Sequence, residues 1–160
     1  MSNSILKAGY LRNVSILKAG YLRNVAVEYL QYWLLIPYSY GGSDFSGMDC
    51  SGVIIEVLKS VGILPHKFDD TAHGLYLKFK DKIVDRGYAG CLVFWFREGK
   101  ARHVMMMVDD FHVMGACGGG GDTKTVKDAI RNDAFVKLRP INYRGDVYKI
   151  CDPFLEVKED

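Results

Sequence analysis

At 160 residues and 49% apolar content, the chain has the length and composition of one globular domain with a substantial core, which excludes a disordered or fibrous polypeptide. The net charge of +2, with no dense basic stripe, argues against a nucleic-acid partner. The longest apolar run, Trp33 to Ile36, stops at Pro37 and is far too short to span a bilayer, and the N-terminal stretch MSNSILKAGYLRN lacks the apolar core of an export signal.

The chain begins with an identical tandem copy, SILKAGYLRNV at 4–14 and again at 15–25. A helix through both copies keeps Ile5, Leu6, Tyr10 and Leu11 roughly in line with Ile16, Leu17, Tyr21 and Leu22, because the repeat length is about three helical turns. Packing does not demand letter-perfect identity. Residues 1–25 are therefore expected to be a duplicated helical extension, with a dispensable first copy, on a domain spanning 26–160. Residues 22–35 read as a helix stopped before Pro37, and the Gly- and Ser-rich stretch 37–47 as loop. Val53, Ile54, Val57, Leu58 and Val61 fall at helical spacing from Cys50, and Gly62 and Pro65 close that segment.

A short helix is predicted over 70–79, and strands follow at 91–96, 102–108, 111–117, 134–141 and 147–151. A helix at 125–133 interrupts the series. Asp109-Asp110 is the predicted tight turn between the second and third strands. Helices first and a mostly antiparallel five-stranded sheet afterwards make an α+β fold. Met105 to Met107 read as sheet core. The glycine run 118–121 fails as a phosphate loop, because Thr123 rather than glycine precedes Lys124-Thr125; it reads as a flexible loop beside a cleft.

Cys50, Cys91, Cys117 and Cys151 contain no C-x-x-C pair, so free thiols are expected, with neither a disulfide framework nor a metal site. Cys50 stands apart in MDCSG. With Asp49 as helix cap, its sulfur would sit at the positive end of a helix dipole, where a thiolate is favoured and the pKa falls below its free value of about 8.5. The alternative is a small core residue at a helix start, and local pattern alone does not decide between them. A thiol nucleophile needs a base. His66 and His73 fall in a polar connector and read as surface residues. His103 opens the apolar strand HVMMMV, and His112 lies on the next strand.

PYSYGG (37–42), MDCSG (48–52), VGILP (61–65), AGCLVFW (89–95) and RHVMMMVDD (102–110) occur in the order and spacing of NlpC-type cell-wall peptidases, and the chain resembles that family over roughly residues 30–117. The resemblance implies a papain-like fold and cysteine endopeptidase activity on peptidoglycan stem peptides, at the bond between γ-D-glutamate and diaminopimelate or lysine. It implies Cys50 as nucleophile and His103 as general base. Tyr38, Asp49 and Ser51 would be substrate-binding, the last two holding the free amino end of the stem peptide. No cofactor is implied. Two positions depart from the family: Cys91 stands where aspartate is usual, and Gly115 stands where a polar third catalytic residue, often histidine, is normal. His112 is the remaining candidate to orient His103, although strand alternation puts it on the opposite face.

The alternatives are an amidase or acyltransferase on the same Cys–His scaffold, or a catalytically weak wall-binding or virion structural module. The tail AFVKLRPINYRGDVYKICDPF resembles phage-associated relatives, so phage tail or virion proteins are possible partners, and the expected location is a phage particle or release at lysis, otherwise the cytoplasm.

Overall fold

The computed structural model describes residues 3–156. Its elements are α1 (Asn3–Gln31), a short hairpin of β1 (Ser43–Asp44) and β2 (Gly47–Met48), α2 (Cys50–Ser60), α3 (Ala72–Phe79), β3 (Leu92–Arg97), β4 (Lys100–Met107), β5 (His112–Cys117), α4 (Val126–Arg131), β6 (Phe135–Pro140) and β7 (Tyr148–Cys151). The main sheet has the order β6-β5-β4-β3-β7, and every pairing is antiparallel. The predicted helices and strands form within a few residues of their expected bounds, with two exceptions. The small β1–β2 hairpin forms at the end of the stretch read as loop and runs one residue past it, to Met48. The first helix ends at Gln31 rather than at 35, because Leu35 turns into the left-handed region (φ 64°) and hydrogen-bonds through its N–H to Val136 on β6.

Two cores flank the sheet. On one face, Val53, Ile54, Val57 and Leu58 of α2 and Leu75 and Phe79 of α3 pack with Val104, Met106 and Met114. The other face buries Cys91, Val93, Trp95, Met105 and Met107 beneath Val84, Tyr88, Tyr143 and Ile150. The register of β3 on β4 shifts after Trp95, which pairs with His103, while Phe96 pairs with Ala101; Arg102 is thus a bulged residue. Such a bulge re-aims neighbouring side chains. Asp109 shapes the turn between β4 and β5. Its carboxylate accepts the N–H groups of Phe111 and His112, both at 2.7 Å, and so supplies what a glycine otherwise would.

The two copies of the repeat form one continuous helix, but their surroundings differ. Ile5, Leu6, Tyr10 and Leu11 of the first copy are all more than half exposed. In the second copy Ala19 and Leu22 pack on the core, and Arg23 pairs with the fully buried carboxylate of Asp152, which also accepts from the Tyr88 hydroxyl. Replacing Arg23 by leucine strands that carboxylate and should cost about 3–5 kcal/mol in urea unfolding. Deleting residues 4–14 should change stability by less than about 0.5 kcal/mol, since it removes only exposed surface.

Candidate active site

The start of α2 is built by Asp49. Its backbone is extended (φ −90°, ψ −179°), and its Oδ1 accepts the N–H of Gly52 at 2.7 Å and the Ser51 hydroxyl at 3.3 Å. Oδ2 accepts the N–H of Gly41 at 3.0 Å, tying the preceding loop to the helix. Cys50 is thereby the first residue of the helix, partly exposed, whereas Cys91, Cys117 and Cys151 are buried free thiols. The backbone N–H groups of Val104, Ser51 and Cys50 itself all favour the thiolate.

They do not win. Burial first, and then the negative charge of Asp49, push the Cys50 pKa up to about 11. The helix-dipole expectation of a lowered pKa is thus reversed: the residue that caps the helix is an anion beside the sulfur, and the sulfur is largely desolvated. Iodoacetamide should still label Cys50 before the other cysteines, because it alone is accessible. Its rate should climb about tenfold per pH unit from pH 7 to 10, with no plateau near neutrality. A rate already flat above pH 8 would contradict this.

The sulfur meets β4 at the amide of Val104, next to His103. His103 is only 6% exposed, and its ring lies 5.3 Å from that of Trp95, tilted by 40°. Its Nε2 is 2.7 Å from the Tyr143 hydroxyl oxygen, and that hydroxyl is also 3.4 Å from Met105 Sδ. This contact holds the ring from its Nε2 side: where the phenol proton is directed to the sulfur of Met105, the oxygen accepts from Nε2–H and Nδ1 is the basic nitrogen, and where the phenol donates to Nε2 the ring carries its proton on Nδ1. Burial raises the Tyr143 pKa to about 12, so the phenol stays neutral. Burial, followed by the positive charge of Arg144, lowers the His103 pKa to about 3, against a partial offset from Asp146. The resting pair is neutral thiol and neutral imidazole.

His112 does not take part in this cluster. Its Nδ1 lies 2.9 Å from Asp109 Oδ2 in the β4–β5 turn, on the exposed end of the strand. Gly115 faces Met105: a Cβ there would come within 2.9 Å of Met105 Cγ. The space a third catalytic side chain would need on β5 is therefore filled by methionine. Tyr143, from the loop between β6 and β7, meets the imidazole instead. Nothing in INYRGD (141–146) marks it beyond turn composition, and sequence reading missed it.

Cys50 opens into a cleft of about 730 Å³ that Tyr38, Asp49 and Ser51 also line. His103 is not among its lining residues; it lies behind Arg102, which is. Tyr38 is buried against the glycine run, since a Cβ on Gly119 would fall 2.2 Å from its ring, so this loop is a packed wall of the site. Burial and then the charges of Cys50 and Asp49 raise the Tyr38 pKa, keeping its hydroxyl protonated. The start of α4 is closed by its own capping box between Thr125 and Asp128. His73, expected on the surface, lines the cleft, and its Nδ1 accepts the N–H of Ala101 at 3.2 Å. Among the described residues no cluster of three or more His, Cys, Asp or Glu is placed to hold a metal, and no helix is long and apolar enough to cross a membrane.

The profile of the NlpC/P60 family matches residues 36–139. No curated protein matches the chain by sequence. Among solved structures, it is similar to an NlpC/P60 family protein from Bacillus cereus, with 20% identity, a TM-score of 0.62, and coverage of 79% of this chain but only 39% of that one. The P60 domain of a Mycobacterium avium subspecies paratuberculosis antigen is 18% identical with a TM-score of 0.64, over 86% of this chain and 98% of that domain. The peptidoglycan hydrolase RipB from Mycobacterium tuberculosis is 18% identical with a TM-score of 0.64, covering 84% and 66% respectively.

Proposed function

Because this chain belongs to the NlpC/P60 family, with its papain-like α+β fold, we propose that it is a cysteine endopeptidase of peptidoglycan stem peptides, cutting between γ-D-glutamate and the diamino acid that follows. The observation that carries this reading is the placement of Cys50 at the start of α2 in an open cleft, against the strand whose buried imidazole is held by Tyr143. The naming of RipB as a peptidoglycan hydrolase supports the choice of substrate.

In the proposed reaction the Cys50 sulfur attacks the scissile carbonyl carbon while its proton passes to His103 Nδ1. The carbonyl oxygen becomes an oxyanion facing the backbone N–H of Cys50, with the neutral Tyr38 hydroxyl a further donor in the cleft. Collapse breaks the C–N bond, and the imidazolium returns the proton to the leaving amine. Water then hydrolyses the thioester, with His103 taking its proton and giving it back to the sulfur. Taken separately, the two pKa values put a thiolate–imidazolium pair on the order of 10 kcal/mol above the neutral pair. The attraction between the two charges returns part of that. Proton transfer therefore accompanies attack rather than preceding it. Asp49 holds the free amine of the stem peptide in this reading, together with Ser51, whose hydroxyl is already bonded to Asp49.

The neutral resting pair also favours a second reading, a wall-binding module with weak or no catalysis. Incubation with a muropeptide bearing a free L-alanine, followed by mass spectrometry, decides between them. A new amine on the diamino acid, absent with Cys50→Ala, supports the endopeptidase. Cleavage beside the lactyl group indicates an amidase. An unchanged substrate that remains bound indicates the binding module.

A further inference from the structure

We propose that the outward face of α1 is an interfacial anchor, which lays the repeated helix lengthwise on an anionic lipid surface and holds the rest of the domain on the water side. The proposal does not depend on the endopeptidase reading, and it gives the first copy of the repeat a use other than stability.

The face follows from the repeat. At roughly 100° per residue, Leu6, Tyr10, Val14, Leu17 and Tyr21 fall within a stripe about 80° wide that runs for about four turns of α1. The stripe lies half a turn round the helix from Ala19, Ala26 and Leu30, which pack on the core. Its side chains are 61%, 69%, 43%, 73% and 68% exposed, in that order. Together they present on the order of 600 Å² of mostly apolar surface, the upper end of what a lone domain leaves open. α1 is thus apolar on two opposite faces, and among the described residues only the inner one is covered.

Charge selects the partner. Residues 3–27 contain Lys7, Arg12, Lys18 and Arg23 and no acid, although the whole chain carries a net charge of only +2, so the rest of the molecule is acidic on balance. Arg23 is spent on Asp152, and Arg12 lines a groove beside Leu155 and Glu156 on the inner side. Lys7 and Lys18 run along one margin of the stripe, both exposed, and among the described residues neither has an ion-pair partner. Glu28 ends the stripe. A lysine at such a margin lays its methylenes along acyl chains while its ammonium reaches a lipid phosphate. Tyr10 and Tyr21 suit the same boundary, with an apolar ring and a polar hydroxyl. A second copy of α1 would bring to that margin only the same lysines or the neutral Asn13 and Asn24, and no acid. Too polar to cross a bilayer, α1 lies along its surface.

Co-sedimentation of the full chain with vesicles at low salt tests this. Vesicles of phosphatidylcholine and phosphatidylglycerol in equal parts should bind it about tenfold more tightly than pure phosphatidylcholine, since each lysine near an anionic surface contributes several-fold. Lys7→Gln with Lys18→Gln should bring the two affinities within about twofold. Leu6→Ser with Leu17→Ser should weaken binding to the anionic vesicles by about tenfold or more. All four positions are exposed, so both variants should keep the urea midpoint of the parent. Equal binding of the parent to both vesicles, or no binding to either, overturns the anchor. So does a preference that survives the lysine changes, or binding that survives the leucine changes. A parent that is dimeric by light scattering, becomes monomeric with the leucine changes and binds no lipid overturns it too, and assigns the stripe to a second copy.

Discussion

Muropeptide hydrolysis should disappear with Cys50→Ala and fall at least about a thousandfold with His103→Ala, and the double variant should be no worse than Cys50→Ala alone. Non-additivity is expected because in the proposed reaction the two groups perform one step: the thiol proton leaves as the C–S bond forms and passes to His103, on the strand against which the sulfur lies. A neutral thiol with a pKa near 11 is a poor nucleophile without that acceptor. Tyr143→Phe separates orientation from chemistry. It removes the hydroxyl that holds Nε2, so the imidazole loses the partner that fixes its orientation and tautomer. That variant should lose roughly tenfold to a hundredfold in kcat with little change in KM. Steady-state kinetics on the muropeptide checks all three. Additive losses for Cys50 and His103 would mean that the two do not share a step.

The second large effect is on stability in acid. His103 titrates near 6.5 in an unfolded chain and near 3 in the folded protein, chiefly because the buried ring resists charging. Folding thus favours the neutral ring. Its contribution is fully present above pH 6.5 and is lost progressively as pH falls from there towards 3. A shift of that size corresponds to roughly 5 kcal/mol. Urea unfolding as a function of pH should show the loss, and His103→Gln, which has no ring to charge, should flatten the acid limb by about that amount relative to the parent protein. Parallel acid limbs for the two proteins would mean that His103 is not desolvated as described. Activity should show the same sensitivity only where the fold itself begins to fail, since His103 is already neutral throughout the pH range in which the protein is stable.

Much of the fold is legible in local pattern because its elements are bounded by strong local signals. Asp49 before an apolar helical face, Gly62 and Pro65 after it, and short apolar runs separated by polar breaks through 91–117 place α2 and the central strands within a few residues. The β1–β2 hairpin escaped because two-residue strands carry no periodicity, and the early end of α1 escaped because a left-handed Leu35 is dictated by its bond to Val136, a partner far along the chain. The same division runs through the site. The resemblance points to Cys50, Tyr38, Asp49 and Ser51 through short contiguous motifs, and the four line one cleft. It could not reach Tyr143, whose role depends on a loop folding back over Trp95 and Met105.

What the sequence by itself determined is where the two side chains that the proposed reaction uses are placed: a cysteine at a capped helix start and a histidine on a buried strand, each written in a few adjacent residues. What only the tertiary structure decided is the state of those atoms. The cap that starts the helix also puts a carboxylate beside the sulfur, the two cores desolvate thiol and imidazole, and Met105 fills the place opposite Gly115 so that a distant tyrosine holds the ring. Desolvation and charge proximity depend on which distant residues meet in space, and no local pattern encodes that sum.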